Sequence, residues 1–585
     1  MPRSSYDRYP AIAAAPGKQS ECWRGWEAIC AQIRQTIAAK SENRLIIAVE
    51  CYTGLRENIL VKLAQGLPEV EHFFHTKYVF KSPEEIDRLV APWLGGNDPL
   101  FGHFSTLELA DFVDGEKVRQ YRQQIESRAE HIIVFGTGAL LCCKPDLIIY
   151  ADMPRWEGQL RQRRGEVSNL GVENRGLKPS LQYKRSFFID WRICDRLKAA
   201  TIERWDFLLD TTIANDPKLI TGAALRETLD AATRRPFRVV PFFDPAPWGG
   251  QWMKKQFDLD PSQPNYGWGF DCVPEENSLL LEFAEGVRVE IPAMNLVLFR
   301  PRALLGDSVY QRFGAEFPIR FDFLDTIGGG NLSFQVHPTV EFAQREFGLS
   351  YTQDESYYIL HAEKNASVFL GTRNGIDSEK MFDALESADR AGEPFPVEKF
   401  VNQWPARTHD HFLIPTGTVH CSGAETVVLE ISATPYIFTF KLWDWGRLGL
   451  DGVPRPTNIS RGRQVIQWDR DHDWTHSELI NKIQPLENHT DWRSERTGLH
   501  PLEFIETHRH WFTDTVPHDT DGSVNVLNLV QGHAALVESP DQLFEPFEVH
   551  FAETFIIPAA AGKYTITTLS KAQECATIKA FIRQF

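Results

Sequence analysis

Leu332 to Pro338 reads LSFQVHP, and its Gln335 and His337 stand two residues apart in an otherwise apolar run. Alternate residues of a strand share one face, so this spacing points both polar side chains the same way. Asp354 to Leu360 (DESYYIL) brings Glu355 to the start of an aromatic strand. Ile414 to His420 (IPTGTVH) turns the chain at Pro415 and Gly417 and sets His420 on the strand that follows. Together the three pieces offer two imidazoles, one carboxylate and one amide oxygen. That set suits a four-coordinate Zn2+ with open positions for substrate, and iron, manganese, cobalt or nickel would also be accommodated. Either imidazole alone is most often a hydrogen-bonded strand residue, and Glu355 alone a solvated strand-end charge. The ordered set is what carries the metal reading.

Outward from these motifs, Pro241 to Phe585 is dominated by short alternating strands with Gly, Pro, Asn and Asp between them, as at Leu279–Phe283, Val287–Ile291, Ser367–Leu370 and Val427–Ile431. Such spacing predicts a β-sandwich or barrel. FLIPTG (412–417) has an echo in FIIPAA (555–560), and aligning Pro415 with Pro558 sets His420 opposite Lys563. Two related β halves, one with polar ligands and one without, follow from that echo. The PxGxxH of IPTGTVH resembles the second-half signature of the cupin jelly roll.

The chain before Arg234-Arg235-Pro236 has another texture. LIIAV (45–49), HIIVF (131–135) and DLIIY (146–150) are short, fully apolar runs, separated by charged helical stretches such as Gly115–Glu130. Apolar strands alternating with amphipathic helices imply βαβ units around a parallel sheet. The expected fold class is therefore multidomain: a parallel α/β domain over residues 1–235, then a double β region divided into 236–475, with the metal ligands, and 476–585, without them. A charged, His-rich stretch at Trp468–Thr490 marks the second boundary.

Composition bounds the partners. The 585 residues suit three or four folding units at ~150 residues each. With 62 basic and 79 acidic residues the net charge is −17, which excludes a non-specific nucleic-acid binder but allows a local basic pocket for a small phosphorylated ligand. The longest apolar stretch, HIIVFGTGALLCC (131–143), is too short for a membrane span. No secretory leader is visible, and the nine cysteines are scattered without a CxxC, as expected of reduced thiols in a cytoplasmic protein.

Taken in order, Trp248-Gly249-Gly250, FPIRFDFLD (317–325), LSFQVHP, Glu355, IPTGTVH, Glu430-Ile431 and Trp443-Asp444-Trp445-Gly446-Arg447 resemble type I mannose-6-phosphate isomerases of the short bacterial kind, over about Pro241 to Phe585. The resemblance implies a double cupin fold and a zinc ion held by Gln335, His337, Glu355 and His420. It also implies substrate contacts at Ser333 and Trp248, and the interconversion of mannose 6-phosphate and fructose 6-phosphate through a cis-enediol. Two positions depart from the family. Gln353 stands where it usually has Lys, and Lys441 where it usually has Arg; Lys441 is the candidate to neutralise developing charge. A non-catalytic, metal-containing sugar-phosphate binder is the alternative reading. Metal-dependent oxygen chemistry, a third, usually wants a His-rich facial ligand set.

LIIAVECYTG (45–54), LGGNDPLFG (94–102), IIVFGTGALL (132–141) and IIYADMPRWEGQLRQRRG (148–165) resemble a nucleoside- or uridine-kinase-like P-loop domain. A working phosphate loop needs GxxxxGK[ST], whereas the turn here reads Glu50 to Asn58 (ECYTGLREN) without the Lys-Ser/Thr pair. The expectation is a degenerate domain that does not bind nucleotide. The basic run Arg155, Arg161, Arg163 and Arg164 is an anion-site candidate or a solvated face.

Overall fold

The computed structural model describes residues 4–40, 44–96, 98–433, 438–498, 500–569 and 573–583. The chain divides into two compact units that interleave in sequence. One comprises Ala11–Ala232 with Ser278–Arg300; the other comprises Met1–Pro10, Thr233–Asn277 and Pro301–Phe585.

The first unit is built on a seven-stranded sheet in the order Cys22–Arg24, Lys218–Thr221, Phe207–Asp210, Leu147–Asp152, Ile46–Cys51, His131–Gly136, Val70–His75. The last five run parallel. Every residue of Ile46–Cys51 and Leu147–Asp152 is buried, because both faces are covered. Ile47, Val49 and Ile149 pack on Ile29, Ile33 and Leu63 from helices Trp26–Ala39 and Asn58–Gly66. Ala48 and Val134, pointing the other way, meet Val118 and Ile125 of helix Gly115–Glu126. Asp114 caps that helix by accepting from the Glu116 and Lys117 amides. The apolar runs therefore form the strands their composition predicts.

A hairpin expected among the strands of the β region belongs here instead. Ser278–Glu282 pairs with Arg288–Pro292 and, in parallel, with Ala11–Ala13. Sequence pattern reads the strand but not its partner, since Leu279 and Leu281 would suit any apolar sheet face.

The second unit holds two β-sandwiches. In the first, a six-stranded sheet runs His411–Ile414, Glu355–Ala362, Thr426–Ser432, Arg320–Asp325, Trp268–Cys272, Phe242–Asp244. Its five-stranded companion runs Val401–Pro405, Ser367–Thr372, His420–Ser422, Phe334–Val336, Phe440–Trp443. In the second, the six strands are Thr554–Ile557, Asn525–Gln531, Cys575–Ile582, Ile505–Phe512, Trp492–Gly498 and Gln484–Asn488. Four more, Phe547–His550, Ala534–Glu538, Tyr564–Thr568 and Thr515–His518, face them. Taken from corresponding edges, the two sandwiches have the same strand order.

The FLIP and FIIP echo lies on matching edge strands. Ile414 pairs with Glu355 in one, and Ile557 pairs with Asn525 in the other, so Asn525 stands where the first sandwich has Glu355. The next strand begins at His420 and at Tyr564 respectively. The residue corresponding to His420 is thus Tyr564, one beyond the exposed Lys563 that simple alignment picks. Tyr564 donates its hydroxyl to the Asn525 amide oxygen at 2.9 Å, a neutral bond in place of imidazole and carboxylate.

Candidate functional site

The three motifs converge inside the first sandwich. Gln335 pairs directly with His420 on the neighbouring strand, and with Lys441 on the other side, so the three side chains share a row on one sheet face. Glu355 arrives from the opposing sheet. Its carboxylate lies 3.1 Å from His337 Nε2 and 2.8 Å from His420 Nε2, and one ligand atom from each residue falls within 4.8 Å of the others. All three residues are buried.

Two backbone carbonyls set the chemistry of these imidazoles. Phe438 O lies 3.1 Å from His337 Nδ1, and Thr418 O 2.8 Å from His420 Nδ1. A carbonyl only accepts, so each Nδ1 carries the proton in the neutral ring and each Nε2 turns a lone pair inward. Two lone pairs and a carboxylate then face a common point, and among the described atoms His337 Nε2 and Glu355 Oε1 make no hydrogen bond. A cation satisfies such a donor set, so these residues fit a metal ion. Burial pushes the Glu355 carboxyl up, but positive charge on His337 and His420, when both nitrogens of each ring carry protons, holds it well below the usual carboxylate range.

The Gln335 amide lies beside the set, its nitrogen 3.3 Å from His420 Nε2 while Oε1 accepts from Ser333 Oγ at 3.3 Å. Turning the amide over exchanges its two ends and faces the oxygen toward the centre. Gln353 donates to Glu355 Oε2 at 3.1 Å. The PxGxxH turn is pinned to the Glu355 strand, since the Asp354 carboxylate accepts from the Thr416 amide at 3.0 Å. Arg470 holds the turn from behind by donating to Pro415 O at 2.7 Å. Gly417 has φ +84° and lies so close to Val465 O that a Cβ would approach it to 2.7 Å.

Lys441 has its pKa brought down to about 8 by burial first and by Arg455 second. Beside it, Asp444 accepts from Arg447 Nη2 at 2.8 Å and from Arg455 Nη2 at 2.6 Å. Ser333 is buried next to Gln335. Trp248 is buried against Trp268, edge to face at 5.2 Å, and its carbonyl accepts from the Gly330 amide in the loop before Ser333.

Two buried acids that the sequence motifs contain were given no role by sequence reasoning. Asp322, Glu430 and Tyr357 face one another across three adjacent strands, in the row next to Arg320, Ser432 and Glu355. Burial raises Asp322 to about 7 against the pull of Arg320, and raises Glu430 well above the carboxylate range, with Asp322 adding to the effect. The signal was present in FPIRFDFLD, where Arg320 and Asp322 alternate with phenylalanines, so the charges share one face of a strand buried on both.

In the other unit, the loop after Ile46–Cys51 is tied to the protein's own ions. Fully buried Arg161 donates to Gly54 O at 3.2 Å, Thr211 O at 2.6 Å and Glu157 at 2.7 Å. Arg56 bridges Glu157 at 3.3 Å and Glu166 at 2.6 Å, Arg164 pairs with Glu166, and Arg155 with Asp195. The basic run therefore neutralises internal acids and is no solvated face at Arg155 and Arg161.

Residues 25–234 match a family described as a domain of unknown function, DUF8485. The mannose-6-phosphate isomerase ManA of Bacillus subtilis (strain 168) is 26% identical over 157 residues, which span 27% of this chain and 46% of that protein. A mannose-6-phosphate isomerase of Streptococcus mutans is 25% identical over 221 residues, 37% of this chain and 64% of the relative. The match thus spans about half to two thirds of the length of these relatives. A crystal structure of the Bacillus subtilis mannose 6-phosphate isomerase aligns with TM-score 0.47 and 17% identity, covering 59% of this chain and 99% of that one. Part of this chain is homologous to mannose-6-phosphate isomerases. No helix among the described residues is long and apolar enough to cross a membrane.

Proposed function

We propose that the protein is a zinc-dependent aldose–ketose isomerase that interconverts mannose 6-phosphate and fructose 6-phosphate through a cis-enediol. The observation that carries this reading is the buried convergence of His337, Glu355 and His420, brought from two sheets with both Nε2 lone pairs turned inward. Homology of part of the chain to mannose-6-phosphate isomerases supports it. Gln335 is the proposed fourth ligand. A bound Zn2+ would polarise the sugar's carbonyl and acidify the neighbouring C–H. The reaction moves one hydrogen from C2 to C1 while the carbonyl moves from C1 to C2. Lys441, as a cation on the same face as Gln335, would stabilise negative charge that develops on the sugar. Ser333 would orient the Gln335 amide and contact the substrate phosphate, and Trp248 would line the substrate side. The proposed domains are a non-catalytic P-loop-like domain over 1–235, a metal-bearing cupin over 236–475 and a metal-free cupin half over 476–585, in a cytoplasmic protein.

The alternative, a sugar-phosphate binder that keeps a metal without turnover, draws support from Gln353. Gln353, at the position where the resembling family usually carries a Lys, donates a neutral amide to Glu355. Isomerisation of mannose 6-phosphate by the purified chain, before and after chelation and zinc addition, separates the two. Zinc-restorable turnover is expected. Bound zinc without turnover on mannose 6-phosphate or related aldose phosphates would overturn the enzyme reading and leave the binder.

A further inference from the structure

The charged, His-rich stretch at Trp468–Thr490 has no part in the proposed reaction. Within it, His472 and His476 stand four apart on the helix His472–Glu478, so they share one face, and both are exposed. We propose that these two imidazoles form a second metal site, which binds a divalent transition ion of the Cu2+ or Zn2+ kind through one nitrogen of each ring, with water in the remaining positions.

A common platform sets the two rings. Trp404 lies against both: its indole is stacked on His472 with centroids 4.8 Å apart, and is tilted 32° to His476 at 5.7 Å. The imidazoles themselves are parallel to within 4°, with centroids 6.5 Å apart. An ion ~2.0–2.1 Å from a nitrogen of each ring spans that separation without moving the helix. Trp404 is pinned in turn, since its Nε1 donates to Leu370 O at 3.0 Å. The helix is anchored as well: Asp471 caps it by accepting from the Trp474 amide at 3.1 Å, Thr475 is fully buried, and Leu479 O accepts from the Leu413 amide at 2.8 Å. Rings held together before an ion arrives lose little freedom when it binds.

The hydrogen bonds leave the ligand atoms free. His472 Nδ1 lies 3.0 Å from Asp473 Oδ1; a carboxylate only accepts, so the neutral ring carries its proton on Nδ1 and keeps a lone pair on Nε2. Asn374 fixes Asp473 by donating to its Oδ2 at 3.0 Å, while the Asn374 oxygen accepts the His472 amide at 2.9 Å. A carboxylate behind an imidazole orients the ring and raises its basicity toward a metal. His476 makes no hydrogen bond among the described residues, so its ring can turn either nitrogen to the ion.

Charge and donor type narrow the occupant. Asp469, Asp471 and Asp473 make this segment acidic, and Arg470, the one cation among them, is turned away to donate to Pro415 O at 2.7 Å. Imidazole nitrogens suit Cu2+, Ni2+ or Zn2+ rather than Mg2+ or Ca2+, and Cu2+ stands highest in the affinity order. With two protein ligands, the site is weaker than a buried centre with four and fills after it.

Cu2+ would be titrated into the full chain at neutral pH, with uptake counted by equilibrium dialysis and the bound ion followed by electron paramagnetic resonance. Wild type should bind one equivalent more than His472→Gln and one more than His476→Gln, with nitrogen coupling in the difference spectrum. That difference counts this site whatever happens at His337, Glu355 and His420, so the two metal readings fail separately. Both substitutions are at exposed positions, and an unchanged circular-dichroism spectrum checks the fold. Asp473→Asn should keep the equivalent and weaken it about tenfold. Excess Mg2+ should leave it in place. Equal Cu2+ uptake by wild type and either histidine variant, an affinity untouched by Asp473→Asn, or displacement by Mg2+ would each overturn the proposal.

Discussion

Replacing Glu355 with Gln tests whether the buried triad is a metal centre or only a hydrogen-bonded cluster. The change removes one negative charge and almost no volume. At an effective dielectric of about 20, a carboxylate and a unit charge about 4 Å apart interact by about 4 kcal/mol, and a divalent ion doubles this. Desolvation takes back part of the gain. Removing one member of a buried, paired set costs a net ~3–5 kcal/mol, which is roughly 150- to 5,000-fold in affinity. Glu355 is the only carboxylate within 4.8 Å of both imidazole nitrogens in this set, so the whole loss falls on it. Zinc titration with a competing chelator, on wild type and Glu355→Gln, measures the ratio; thermal unfolding with and without zinc gives a second reading. The variant should retain its folded circular-dichroism spectrum and lose the zinc-dependent rise in Tm. A variant that binds zinc within tenfold of wild type would refute the assignment of Glu355 as a ligand, and with it the geometric argument for the site.

Four further outcomes are expected. If Lys441 acts as a cation, the pH–rate profile should fall through a limb near 8; Lys441→Arg should move that limb upward and Lys441→Met should abolish most turnover. Burial raises the folded-state pKa of Asp322 to about 7, so between about pH 4 and 7 the folded protein binds more protons than the unfolded chain and this site loses stability as pH rises. Asp322→Asn should therefore raise Tm more at pH 8 than at pH 4, and equal shifts would refute it. Arg238 pairs with Glu553 at 2.6 Å in the second unit, and Arg238→Met, which leaves that buried acid to the Asp7 and His550 amides and the His550 ring, should destabilise by about 3 kcal/mol in urea unfolding. A Cβ on Gly222 would sit 1.8 Å from Trp205 O, so Gly222→Ala should cost the first unit about 3 kcal/mol or more, read by hydrogen exchange at strands Phe207–Asp210 and Lys218–Thr221.

The legible parts of this molecule were those where periodicity and burial coincide. LIIAV, HIIVF and DLIIY form central parallel strands because a strand covered on both faces has no polar alternation to hide it. The i, i+2 spacing of Gln335 and His337 read directly as a shared face. Long-range pairing was not legible: Leu279–Phe283 shows a strand but not that Ala11–Ala13 lies beside it. Nor was the one-residue insertion that sets Tyr564, not Lys563, opposite His420, since Pro558 aligns equally well with or without it. The acids at 322 and 430 stood inside quoted motifs without an assigned role, because their burial and their pairing across adjacent strands come from the folded sheet.

The interleaving of the two units bears on how the chain can be made. The first unit is not complete until the ribosome has passed Arg300, because the hairpin 278–292 supplies the partner of Ala11–Ala13. At about 5–20 residues per second that is a wait of roughly 15–60 s. Throughout it the opening strand keeps an unpaired edge, and a stretch of the second unit emerges first. A chaperone that shields Ile12 and its neighbours during that interval would raise the yield of folded protein, and a fragment ending at residue 235 would carry the open edge permanently.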